Sequence, residues 1–488
     1  MTTAAIADVT AGFEMVVGLE VHVQLKTASK AFCNCSTDFG APPNSNTCPV
    51  CLALPGALPV LNARAVDLAL RVALGFGFTV NTHSIFARKN YFYPDLPKGY
   101  QISQHDKPIA EHGTLDIGRV VDGKPRVIGI TRAHMEEDAG KSIHDRYDSA
   151  TAVDLNRSGV PLVEIVSEPD MRSPEEAGAY LRTLKQILLY LDVSDCNMEE
   201  GSLRVDANVS ARPFGQTRLG TKCEVKNMNS FSGVERALAV EFARQVGVLS
   251  AGGVVRQQTM LWDGAAGEVR PSRTKEGSHD YRYFPEPDLP PLVLELEWID
   301  QMRHDLPELP SARRARFVSE YALGAYDVDV LTASPRIAEY YESVARTHGD
   351  AKVAANWVMG EVLAQLRATG GDVATFRVRP RDLAQLLDLV RDGIVSHTAA
   401  KQVFATMVVT GEQPAQIAER DGLVKVDDDA QLAAWLDDVM SELPTETARW
   451  RSGEKKLQGV LIGAVMKKSN GRADPRKLGQ LLAARLVS

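Results

Sequence analysis

Glu20 and His22 stand two residues apart in a segment, residues 14–25, in which apolar and polar side chains alternate. In a strand that spacing puts a carboxylate and an imidazole on the same face. Met15, Val17, Leu19, Val21, Val23 and Leu25 make the opposite, apolar face. The pattern recurs downstream. Arg204, Asp206, Asn208 and Ser210 share one face, with Leu203, Val205, Ala207 and Val209 behind them, and Lys222, Glu224 and Lys226 share another. Asp and Asn are depleted in strands, so Asp206 and Asn208 call for a reason. A sheet face that gathers carboxylates for metal ions is one reason and a solvated sheet face is the other. The alternation by itself leaves both open.

A second acidic group, His134-Met-Glu136-Glu137-Asp138, follows the strand-like run Val127 to Ala133. Consecutive acids at a strand end most often form a solvated turn. The functional reading joins Glu136, Glu137 and Asp138 to Glu20, His22, Asp206 and Glu224 around hard cations such as Mg²⁺, which prefers oxygen ligands and completes its shell with nucleotide phosphates. The chain has no Walker A string and no kinase glycine loop, so nucleotide chemistry here needs another fold. The stretch Arg88 to Gln101 supplies Arg88, Lys89 and Lys98 for phosphate, and its aromatic residues read more simply as core.

Four of the six cysteines crowd together as Cys33-x-Cys35 and Cys48-x-x-Cys51. Two close pairs joined by a loop suit a structural, tetrahedral zinc site. The first pair is tighter than the usual knuckle, and four reduced, partly buried cysteines are the alternative.

The elements that must position these groups are strand-rich up to about residue 295. One helix is clear: Ser173 is an N-cap, Pro174 takes the first helical position, and Ala177, Tyr180, Leu181, Leu184, Leu188 and Leu191 repeat at helical spacing. Leu292 to Trp298 reads as a last strand after the stiff Pro285–Pro291 stretch. Beyond it the texture becomes helical, with another change near Gly411. An α+β fold in three domains, 1–295, 296–410 and 411–488, is expected, in keeping with 488 residues. No signal peptide or membrane span is expected. The net charge of −8 argues against whole-surface binding of nucleic acid but permits a local basic patch. Residues 411–444 hold nine acids against two bases, whereas 445–488 hold ten bases against three acids. Lys455, Lys456, Lys467, Lys468 and Arg472 therefore suggest docking on RNA phosphates. A solvated helix face is the plainer alternative.

Taken together, several strings resemble the B subunits (GatB) of the bacterial tRNA-dependent amidotransferases. They are Gly18 to Leu25, Cys48 to Cys51, Arg88 to Gln101, Glu136 to Lys141, Asp154 to Gly159, Met198 to Arg204, Lys226 to Phe231, His279 to Pro285 and Gly463 to Lys467. They span essentially the whole chain, and their joint occurrence is specific although most are weak singly. The resemblance implies a cradle domain of antiparallel sheet related to glutamine synthetase, an all-α domain, and a YqeY-like all-α tail that binds tRNA. It implies a cytoplasmic, glutamine-hydrolysing ligase. ATP would phosphorylate the side chain of glutamate or aspartate mischarged onto tRNA(Gln) or tRNA(Asn), and ammonia would displace the phosphate.

The resemblance implies Glu20, His22, Glu136, Glu137, Asp206 and Glu224 as catalytic, with Glu20, His22, Glu136, Glu137 and Glu224 on Mg²⁺ and the four cysteines on zinc. Arg88, Lys98, Arg204 and Lys226 are expected to meet ATP. No glutaminase motif is present, so ammonia must come from a partner. The family supplies an amidase A subunit and a small C subunit in a heterotrimer, with no membrane or DNA involved. Val205 stands where the family often has Cys, Ala53 where Gly is common, Glu454 where Lys is usual and Ala464 where Gln is usual. A non-catalytic tRNA-binding subunit is the competing reading. Whether Glu-tRNA(Gln), Asp-tRNA(Asn) or both are used does not follow from the sequence.

Overall fold

A computed structural model describes residues 10–144, 146–272, 281–426, 428–469 and 471–487. His279 and Asp280 of the family-like strings lie outside them. The chain divides into two compact units, Met1–Pro310 and Ser311–Ser488.

The first unit is built on one sheet, twelve-stranded among the described residues. Its strands are β1 (Phe13–Gln24), β2 (Thr79–Val80), β4 (Ala87–Asn90), β5 (Tyr100–Ser103), β6 (Ala110–Val121), β7 (Lys124–Glu137), β10 (Pro161–Ser167), β11 (Leu203–Pro213), β12 (Cys223–Lys226), β13 (Thr259–Asp263), β14 (Glu268–Pro271) and β15 (Arg282–Pro285). Two short pairs lie apart from it: β3 (His83–Ser84) with β16 (Leu292–Val293), and β8 (Lys141–Ile143) with β9 (Ala152–Asp154). The main order is β14-β13-β12-β11-β1-β10-β7-β5-β4-β15, with β6 added on β7 and β2 on β6. Among the described residues of this sheet only β12 and β13 pair in parallel; the other pairings are antiparallel.

β1 is central because its alternation is strict. Val17, Leu19, Val21 and Val23 are buried in a core shared with Leu203, Val205, Ala207 and Val209 of β11 and Val163 and Ile165 of β10. Helices α1 (Ala63–Gly75), α2 (Pro174–Tyr190) and α3 (Phe231–Ser250) cover that apolar face. The capping expected for α2 is present: Ser173 Oγ accepts from the Glu176 N–H at 3.2 Å, with Pro174 at the start. Such a cap contributes about 1 kcal/mol.

Two local expectations are corrected. Leu292 to Trp298 is not one strand: β16 ends at Val293 and helix α4 (Leu296–His304) follows, its Ile299 packed into the core of the first unit. Ile299 and Met302, three residues apart, share the helix face that lies on this core, whereas in a strand they would point to opposite sides. The acids at 136 and 137 do not follow β7 but belong to it, because pairing with β10 continues through Glu137.

The second unit is helical and carries two apolar clusters. One runs from Phe317 to Leu423 and includes Ile417 and Ala418 of helix Pro414–Arg420. The other runs from Leu432 to Leu482. In the first, Arg313, Arg316 and Arg346 reach the buried Glu342 carboxylate at 2.8, 2.6 and 3.0 Å.

Candidate functional site

The polar face of the central strands is organised by register. His134 of β7 is opposite Glu164 of β10, Glu164 is opposite His22 of β1, and His22 is opposite Arg204 of β11. One two-residue step along the strands, Glu20 is opposite Asp206. One step further, Asn208 of β11 is opposite Glu224 of β12. Strands lie about 4.8 Å apart, so residues distant in sequence become neighbours on one floor.

Two metal-competent groups result. His22, Glu136 and Glu164 offer ligand atoms within 4.8 Å of one another, and so do Glu20, Asp206 and Glu224. His22 Nε2 lies 3.4 Å from Glu136 Oε1 and 3.5 Å from Glu164 Oε2, and His134 Nε2 is 3.3 Å from the same Glu164 oxygen. Asn208 Nδ2 donates to Glu20 Oε1 at 2.8 Å.

The electrostatics follow from crowding. Burial works against a charged His22, yet the hydrogen bond to Glu164 and the charge of Glu136 raise it to about 9. Burial also opposes the Glu164 charge, but His134 and His22 outweigh it and hold that carboxyl well below its usual range. Burial pushes Glu136 and Glu20 upward, and nearby Glu164 adds to both. The floor gathers five carboxylates, Glu20, Glu136, Glu164, Asp206 and Glu224, beside the cationic side chains of Arg204 and Lys226. Hard divalent cations fit its donor set of carboxylate oxygens and one imidazole.

Each cation expected at a nucleotide is held by a carboxylate. Lys226 Nζ lies 2.5 Å from Asp206 and 3.0 Å from Glu224. Arg204 donates to Asp138 at 2.9 Å. Arg88 grips Glu286 through two bonds, at 2.7 and 2.8 Å, and lies over the Tyr100 ring. Lys98 pairs with Glu137. Arg204 and Lys226 belong to the floor, whereas Arg88 ties β4 to the segment after β15.

The structure does not bring Glu137 to either acidic group. Adjacent strand residues face opposite ways, and Glu137 accepts from Lys98 and from the Ile102 N–H, the latter at 3.0 Å. It lines a cavity of about 230 Å³ together with Lys30, Cys33, Cys51, Lys98 and Tyr100. Glu164, in turn, escapes a reading that looks for runs of acids. Its signal is subtler: a single acid inside the apolar strand Pro161–Ser167.

Cys33, Cys35, Cys48 and Cys51 gather with sulfurs within 4.8 Å of one another. Cys51 Sγ is 3.9 Å from Cys48 Sγ and 4.0 Å from Cys35 Sγ. Sulfurs around a tetrahedral zinc at about 2.3 Å would lie about 3.8 Å apart, so this set fits zinc with little movement. The Cys48 N–H donates to Cys51 Sγ at 3.1 Å. A hydrogen bond from Cys33 is the main influence that holds the Cys51 thiol down to about 4, against burial. Burial pushes Cys35 up to about 11. The turn that follows puts Ala53 at a φ of 56°, the left-handed region, which glycine adopts without the steric cost that a Cβ brings.

In the tail, Lys455 and Lys456 precede helix Leu457–Lys468, and Lys467 and Lys468 end it. The two basic pairs are therefore separated by about 18 Å of helix. Lys468 bonds to Asp438 and Glu442 at 2.9 and 2.8 Å, and Arg472 lies over the Trp435 ring at 5.4 Å. Glu454 pairs with Arg449 at 2.9 Å.

Comparison with known proteins accords with this geometry. Residues 15–300 match the GatB/GatE catalytic domain and residues 339–486 match the GatB domain. The chain is 52% identical over 478 residues to the B subunit of the aspartyl/glutamyl-tRNA(Asn/Gln) amidotransferase of Syntrophotalea carbinolica, covering 98% of this chain and 99% of that one. It is 52% identical over 476 residues to the protein of the same name from Moorella thermoacetica, covering 97% and 100%. Against that of Pelodictyon phaeoclathratiforme it is 51% identical over 474 residues, covering 97% and 99%. The sheet floor, the cysteine loop and the helical tail thus sit in a chain that belongs, over nearly its full length, to the GatB/GatE family.

Proposed function

We propose that this chain activates the side-chain carboxylate of glutamate or aspartate carried by a mischarged tRNA, using ATP, and then lets ammonia displace the phosphate to give the amide. The observation that carries this reading is the sheet floor on which six metal-competent side chains from five strands form two adjacent groups. A carboxylate resists attack by ammonia because oxide is a poor leaving group. Phosphorylation replaces it with a good one. Phosphate and carboxylate repel each other, and cations must suppress that repulsion.

Glu20, Asp206 and Glu224 would hold one Mg²⁺, and His22, Glu136 and Glu164 another; bound there, the ions supply charge neutralisation for the phosphates. Lys226 and Arg204 border these groups and are placed to exchange their carboxylate partners for phosphate oxygens. Arg88 serves the scaffold, and Lys98 with Glu137 lies on the opposite face, toward the cysteine loop. The cysteines would hold structural zinc. Ammonia is supplied by a partner glutaminase: an amidase A subunit, with a small C subunit, in a cytoplasmic heterotrimeric ligase. The separate apolar core of the last helices, Leu432 to Leu482, supports a division of labour, with that part forming the tRNA-binding tail through Lys455, Lys456, Lys467, Lys468 and Arg472.

The test is ADP release by the reconstituted complex with mischarged tRNA, for wild type and Glu164→Gln. Partners one shell removed from a metal already cost about 10–100-fold when mutated. Loss of the ligand itself should cut ADP release at least about a hundredfold while the partner's glutamine hydrolysis persists. Near-normal ADP release from Glu164→Gln would remove the metal role, and amide formation without ATP cleavage would leave only an RNA-binding role for the chain.

A further inference from the structure

Lys30 is 0% exposed, an unusual state for a lysine. It precedes Cys33 on the loop of the first cysteine pair, and its backbone N–H donates to the Cys35 carbonyl at 3.0 Å. Its ammonium donates to the Asn46 carbonyl at 2.7 Å and the Leu155 carbonyl at 3.4 Å, and lies 3.6 Å from Cys51 Sγ. An ammonium has three donors, and these partners use all of them. Two are neutral carbonyls. No carboxylate among the described residues pairs with Lys30; Glu137, which lines the same cavity, is held by Lys98.

A buried ammonium with no counter-charge is strongly unfavourable. The one group in contact that can carry negative charge is the Cys51 sulfur. Four thiolates around one Zn²⁺ carry two net negative charges, and burial makes that excess costly in its turn. The two problems solve each other across 3.6 Å.

We propose that Lys30 is a positioning and charge-balancing residue of the cysteine centre: its buried ammonium stabilises Cys51 as a zinc-bound thiolate and ties the second cysteine pair to the loop at Leu155. The inference rests on the zinc reading of the four cysteines. Its chemical consequence is protection. An N–H donor draws electron density from a thiolate and makes it a weaker nucleophile. Without that donor the sulfur attacks an alkylating agent faster: a C–S bond forms, iodide leaves iodoacetamide, the Zn–S bond breaks and zinc is freed.

The experiment uses the purified full chain. Zinc content is measured first, then the rate at which zinc appears on a chromogenic chelator in excess iodoacetamide. Lys30→Gln keeps N–H donors for the two carbonyls and removes the charge. Release should be at least about tenfold faster than in wild type, the scale set by outer-shell partners of other metal sites. Wild type lacking zinc overturns the zinc reading and this inference together. Stoichiometric zinc with release rates equal within about twofold overturns the role of Lys30 alone.

A second comparison stays readable if Lys30→Gln is poorly folded. Cys51→Ser, measured with chelator present, leaves the ammonium buried without its anion. Adding Lys30→Met to Cys51→Ser should then raise the melting temperature. A role in packing alone predicts no change or a fall, and either result overturns the proposal.

Discussion

Glu136 and Glu137 show how one position along a strand decides what a carboxylate does. Glu136 turns to the polar floor beside His22, and Glu137 turns to Lys98 and the cavity behind the cysteine loop. The two should therefore separate in metal binding. In Mn²⁺ titrations of the full chain followed by electron paramagnetic resonance, Glu136→Gln should weaken the tightest site at least about tenfold, as losses around metal centres commonly do. Glu137→Gln should leave that affinity within about twofold of wild type. Equal losses in both variants would mean that the strand face does not separate their roles. The chain reveals the acids readily, but the parity of the last strand residues depends on how far β7 extends, and that is set by pairing with β10.

Helices of the second unit pose a different electrostatic problem. Glu342 sits on helix Pro335–His348, and three arginines surround its buried carboxylate. Removing the anion leaves guanidinium groups without a partner, and breaking such a buried network costs about 3–5 kcal/mol. Glu342→Gln should lower the stability of this unit on that scale in urea unfolding at neutral pH. The pH dependence has a definite sign. Burial raises the Glu342 pKa, but Arg316 and Arg313 outweigh burial and hold it below its ordinary value. The stabilisation is therefore complete above the unfolded value of about 4.3 and is lost as pH falls through the folded value. The gap between wild type and Glu342→Gln should narrow between about pH 5 and about pH 3. A gap that widens on acidification would contradict the network. The arginine-rich run 313–316 is visible in the chain, but its convergence on one glutamate depends on two helices packing together.

For the molecule as a whole, the useful cut is the one that respects its cores. Helix Pro414–Arg420 packs Ile417 and Ala418 into the cluster that begins at Phe317, and the last cluster begins at Leu432. Deleting residues 428–488 should therefore leave the preceding helices with their core intact, whereas cutting at 411 would strip it. The shorter chain should lose tRNA affinity in gel-shift titrations. It should also lose salt dependence, by about 0.7–0.9 in the log–log slope for each phosphate contact removed. Unchanged affinity and slope would place RNA binding elsewhere. The charge split of the tail is legible in residue counts. Which lysines remain available is not: Lys468 is taken up by Asp438 and Glu442.

Much of this protein is written in local pattern. Period-two alternation at residues 14–25 and 203–210 determines that β1 and β11 have one apolar and one polar face, because successive side chains of a strand must point oppositely. The Ser173-Pro174 start determines where α2 begins, since its cap acts within one turn. The spacing of Cys33, Cys35, Cys48 and Cys51 already suits one tetrahedral centre. Register is different. That Glu20 meets Asp206, that Glu164 lies between His22 and His134, and that Lys30 reaches Cys51 are decided only when strands and loops far apart in sequence are brought together by burial of their apolar backs. A single acid in an apolar strand carries no local mark of its partners. Its neighbours across the sheet supply them, and a slip of one residue would turn every one of those side chains into the core.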